Sequence, residues 1–204
     1  MKKSLQRTWI TDILEAVPSV VFLALWRSGF DMETSGWTGA LLAAAQLLGF
    51  YRFGVFSNPI MLGINLHLLI ITPLIMVSFA IGAREFSDAL VVHSYRGVLV
   101  TVFVVGCVLT LMSRRGFVGI DDVPKRSFWK TSGVLLAASA LAIVWAFAYT
   151  GAVVLSVAVP MIGLFALRRF LIANILDNEN RIGGIALAGG VSAFLAGRDQ
   201  AGEI

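Results

Sequence analysis

The chain has 204 residues, of which 58% are hydrophobic and only 14% charged, with a mean hydropathy of +0.86. So little polar surface excludes an ordinary soluble domain and makes lipid the natural solvent. The net charge of +4 comes from Lys and Arg scattered in ones and twos between apolar runs, which excludes a basic stripe for nucleic acid.

In chain order, the first apolar segment covers about residues 10–30, with Pro18 in its uncharged core. Lys2, Lys3 and Arg7 precede it as in a signal peptide, but Asp12 and Glu15 interrupt the approach and no small-residue cleavage site follows. It reads as an uncleaved first helix. The second segment covers 37–56, and the third, 59–82, carries no charge over 24 residues, enough at about 1.5 Å per residue to cross a roughly 30 Å hydrocarbon core with tilt. The fourth covers 90–113 and holds His93 and Arg96. Its single cysteine, Cys107, offers neither a disulfide framework nor a thiolate metal site.

Thr131 to Leu167 contains no charge over 37 residues, nearly twice what one span needs. Tyr149-Thr150-Gly151 is the natural break, giving spans at 131–149 and 151–167, the second containing Pro160. Residues 168–204 read as a cytoplasmic or interfacial tail, with a seventh span at 182–197 as the lesser alternative. The fold expected is therefore all-α: one polytopic bundle of six transmembrane helices over 1–204.

Alternate loops differ in charge as that arrangement requires. With the N-terminus inside, the inner segments hold Lys2, Lys3, Arg7, Arg52, Arg114, Arg115, Lys125, Arg126, Lys130, Arg168, Arg169, Arg181 and Arg198; the outer ones hold only Arg27 and Arg84. Both termini are thus expected inside. Small residues four apart in the second helix (Gly39, Ala43; Ala40, Ala44) and the fifth (Ala138, Ala142, Ala146) predict close helix packing in a compact bundle, and a homodimer as a further possibility of the same faces.

No phosphate loop, HExxH, GxSxG or paired cysteine occurs, so no catalytic residue, cofactor or metal site is expected. His67 and His93 differ in expected depth by roughly 13 Å, too far to share one metal ion. The candidate polar site comprises His67, Glu15, Asn65 and Arg96, groups that must face the bundle interior, a wet cavity or an interface. Arg96 lies about 9 Å from the outer edge and can snorkel toward Glu85 or Asp88. His67, about 12 Å from the inner edge, is either a neutral residue bonded to a neighbouring helix or a proton-relay group. Glu15 lies about 7 Å from the same edge, so the two side chains meet if the first and third helices pack face to face. Asn65, two residues from His67, lies on another face of that helix.

Val17-Pro18-Ser19-Val20-Val21-Phe22-Leu23-Ala24-Leu25-Trp26, a short polar loop, a second helix ending near Arg52, and Ser127-Phe128-Trp129-Lys130 opening a later helix together resemble the bacterial intracellular septation protein A family. The resemblance covers about a quarter of the chain and leaves 57–122 outside it. It implies a multi-pass protein of the bacterial inner membrane that serves cell-envelope organisation or division through other membrane proteins. A transporter or channel for a small solute or proton is the alternative class, favoured by His67 and by Pro18, Pro73 and Pro160 within helices.

Overall fold

A computed structural model describes residues 2–120, 125–152 and 154–176. Among them are six helices and no strand: α1 (Lys2–Arg27), α2 (Met32–Phe53), α3 (Pro59–Ala80), α4 (Arg84–Met112), α5 (Lys125–Ala148) and α6 (Val154–Leu176). Four of them, α3, α4, α5 and α6, are long and apolar enough to cross a membrane. The tail beyond residue 176, including 182–197, lies outside the described residues.

Local chemistry sets the helix ends. Asp31 opens α2 by accepting the Thr34 N–H at 2.7 Å, and Gly54 closes it in the left-handed conformation at φ 62. Asn58 opens α3 by accepting the Ile60 N–H at 3.1 Å, with Pro59 at the first helical position, where its missing N–H costs nothing. Most helices overrun the apolar segments read from the sequence. α2 begins at Met32 instead of 37, α4 at Arg84 instead of 90, α5 at Lys125 instead of 131. α6 runs through Arg168 and Arg169 to Leu176, where the sequence reading placed the start of a tail. A charge ends a hydrophobic run, but it does not end a helix whose backbone bonds can continue into the headgroup layer.

α3 packs on α1, α2 and α4, and α4 packs on α5. Small residues allow these approaches. A Cβ added to Gly63 would stand 2.7 Å from the Val102 Cα, one on Gly39 would stand 3.0 Å from the Phe22 Cβ, and one on Gly36 would stand 3.1 Å from the Thr72 methyl. The buried face of α2 is Ser35, Gly36, Gly39, Ala40 and Ala43, and Ala142 and Ala146 are buried on α5. A core of Ile60, Leu99, Val102, Phe117, Leu135, Ala142, Ala146 and Leu164 joins α3 to α6. Elsewhere large apolar side chains point outward, among them Leu41, Leu48, Ile70, Val77, Leu141, Val144 and Ile162. Water would penalise that surface and hydrocarbon would not.

Candidate functional site

α3 divides the polar groups between two of its faces. On the face toward α1, Glu15 is buried, and both of its carboxylate oxygens accept the backbone N–H of Asn58, at 2.9 and 3.1 Å. α1 thereby supplies an acid to the start of α3, where backbone donors and the positive end of the helix dipole meet it. The backbone carbonyl of the same Glu15 accepts a hydrogen bond from the Asn65 amide nitrogen at 3.1 Å. Asn58 and Asn65 are seven residues apart, two helical turns, so two levels of α3 converge on this one residue of α1. Asn65 is completely buried, yet its Oδ1 accepts nothing.

On the face toward α4, the His67 Nδ1 lies 3.0 Å from the Thr101 hydroxyl, which itself lies 3.1 Å from the Gly97 carbonyl. The hydroxyl has one proton to give. Given to Gly97, it leaves Nδ1–H as the donor to Thr101; given to Nδ1, it leaves the ring proton on Nε2. An alanine Cβ in place of Gly97 would come within 3.1 Å of the His67 ring, so Gly97 makes room for it.

The structure does not pair Glu15 with His67. α1 and α3 do pack, but the carboxylate turns to Asn58 and the imidazole to Thr101. The three-dimensional reason is the helical spacing: with α1 against the Asn58 and Asn65 face, His67 two residues on is carried round toward α4. Arg96 is not beside Glu85 or Asp88 either. Its guanidinium carbon lies 5.7 Å from the centroid of Phe147 on α5 and 6.0 Å from that of Tyr95, and its Nε is buried with no hydrogen-bond partner. His93 sits 6.5 Å from the same Phe147 ring, on a different side of α4 from the His67 contact. Among the described residues no three His, Cys, Asp or Glu side chains gather where a metal ion could be held.

Comparison with protein families, with curated proteins and with solved structures finds no match to this chain.

Three functional side chains escaped the sequence reading. Thr101 carried no signal, because a threonine in an apolar run bonds its own helix as readily as a neighbour. Asn58 did carry one: Asn-Pro ahead of an apolar run is a helix start. Gln46 on α2 is a polar residue inside an apolar run, the same signal that marks Asn65. Both ends of its amide are buried without a partner.

Proposed function

We propose that this chain is a six-span protein of the bacterial cytoplasmic membrane, with both ends on the cytoplasmic side, and that it passes protons or a small polar solute without enzymatic chemistry. The observation that carries this reading is Asn65, fully buried among apolar helices with an acceptor oxygen unpartnered. Such an atom in a dry interior costs about 1–3 kcal/mol, and the Gln46 amide repeats the cost on α2. The Asn65 amide nitrogen holds α1 through the Glu15 carbonyl, but that bond leaves the oxygen unused. Polar groups persist in that setting when water or a solute meets them. The His67–Thr101 contact, with two arrangements of its protons, is the second polar step along α3.

Purified protein in lipid vesicles under a potassium diffusion potential should acidify or alkalinise the lumen faster than vesicles without it, as read by a trapped pH dye. Asn65→Leu should slow that flux about tenfold, the equivalent of one lost hydrogen-bonding group, while the protein stays monodisperse. Vesicles no leakier than bare lipid to protons and to a panel of small polar solutes would end the proposal.

A second reading, an envelope or division protein acting through other membrane proteins, follows from the septation-family resemblance. Tight binding of a membrane partner by a chain that conducts nothing would favour it.

A further inference from the structure

The α4–α5 connection is not a surface loop. After α4, Ser113 takes an extended conformation, and Gly116 and Gly119 adopt φ 58 and φ 76, left-handed values that glycine accepts freely. Between them Phe117 and Val118 are 0% and 3% exposed. The Phe117 ring packs on Gly106, where an added Cβ would stand 2.7 Å from it. Gly106 is seven residues before Ser113, so the segment folds back about 10 Å along α4 into the bundle.

Every surrounding element touches it. Gly119 lies against Pro59 of α3, and Gly116 against Phe128 and Ser132 of α5. The Arg168 Nε of α6 donates to the Val118 carbonyl at 3.0 Å. The Arg115 guanidinium carbon stands 3.1 Å from the centroid of the Phe56 ring, just before α3. Phe117 shares its core with Ile60, Leu99 and Val102. Ile60 is two turns before His67 on the same face of α3, so the ring stands in the α3–α4 seam between this end of the bundle and the His67–Thr101 contact. The hydroxyls of Ser57 and Ser132, on either side of the segment, are buried and unpartnered. Polar walls around an apolar stopper are what a passage presents when it is shut; a permanently dry seam has no use for them.

We infer that residues 113–120 are a gate closing the α3–α4 seam at this end of the bundle. Phe117 is the stopper, the Arg168–Val118 bond is the latch, and Gly116 and Gly119 are the hinges. Withdrawing the residues beyond Ser113 breaks no helix, because Ser113 keeps its N–H on the Leu109 carbonyl of α4, the Gly116 N–H to Ser113 bond lies at the pivot, and the Gly119 N–H to Arg115 bond moves with the segment. The inference rests on the transport reading and names how that passage is controlled.

The test uses the full chain in vesicles, with Cys107→Ser removing the native thiol and Ser132→Cys placing one against the Gly116 hinge, where the closed segment covers it. Modification by a charged thiol reagent and passive proton permeability are measured together. Phe117→Ala and, separately, Arg168→Gln should each speed modification about tenfold, the effect of releasing one stopper contact or one charge-assisted bond, and should raise permeability with it. Arg168→Gln removes no core side chain, so it decides the matter if Phe117→Ala fails to fold. Monodisperse variants that are modified at the parental rate overturn the gate, and permeability in the parent protein then still supports transport. Faster modification with no permeability in any variant upholds the gate as a moving segment and removes the transport reading.

Discussion

Gly63 shows how a single atom decides the α3–α4 contact. The obstacle to a side chain there is the Val102 backbone, at 2.7 Å from the added Cβ, and backbone cannot swing aside as a rotamer does. Gly63→Ala should therefore destabilise the folded bundle by about 1–3 kcal/mol, while Gly49→Ala, which meets nothing within 4 Å, should be neutral or slightly stabilising. Thermal unfolding in detergent compares them, and equal midpoints would show that the helices slide apart at no cost. Asp31, exposed in the α1–α2 turn, offers a titratable counterpart. The Thr34 backbone N–H and hydroxyl hold its carboxyl below the ordinary value of 3.8. Because the folded value is the lower one, the cap's contribution is present above pH 3.8 and is lost as pH falls through the folded value. Asp31→Asn keeps an acceptor oxygen but no titration. The midpoint difference between parent and variant should stay flat from neutral pH to about 4 and change only below it; a difference that drifts through neutral pH would mean another group is responsible.

At the scale of helices, the number and order of elements among the described residues were legible in the sequence, and their ends were not. Long apolar runs announce spans because the bilayer imposes a length. The charges that bounded those runs sit inside helices because the backbone bonds continue past them: Arg84 is exposed, and Arg168 turns its guanidinium to the Val118 carbonyl. The candidate residues were legible as a list and not as a site. Depth along a helix follows from counting, which placed Glu15 within about one turn of His67, but which face meets which neighbour depends on the packing of α1 against α3, and it is Asn65 that meets the Glu15 carbonyl. That is why Glu15 went to Asn58 instead of His67. The last two turns of α6 give this a consequence. Ile175 is 7% exposed, so 168–176 is packed helix. Ala173→Pro should cost about 3 kcal/mol or more by removing a backbone bond inside it. Unfolding indistinguishable from the parent would return that stretch to the interfacial tail the charges suggested.

For the molecule as a whole, the α1–α2 turn and not the termini distinguishes a bundle in which α1 and α2 cross the membrane from one in which only the four more apolar helices do. Six spans and four both put the two ends of the described bundle on one side, and the basic inner loops favour that side being the cytoplasm in either case. The α1–α2 turn distinguishes them, because it is outside with six spans and inside with four. Its height can be judged from packing. Gly36 of α2 meets Thr72 of α3, which is 13 residues from Pro59 and so about 20 Å along that helix. From Gly36 to Asp31 the chain climbs about another 7 Å, which brings the turn to nearly the full 30 Å of a hydrocarbon core. This supports six spans over four. In whole cells, with Cys107→Ser, a thiol at Ser28→Cys should then react with a membrane-impermeant reagent, as should one at Thr150→Cys, while one at Arg114→Cys should react only after the membrane is opened. A reporter fused after Ile204 should read cytoplasmic. A Ser28→Cys thiol protected in intact cells while Thr150→Cys reacts would reduce the count to four, and an exterior reporter with the other results unchanged would require 182–197 to cross as a further span.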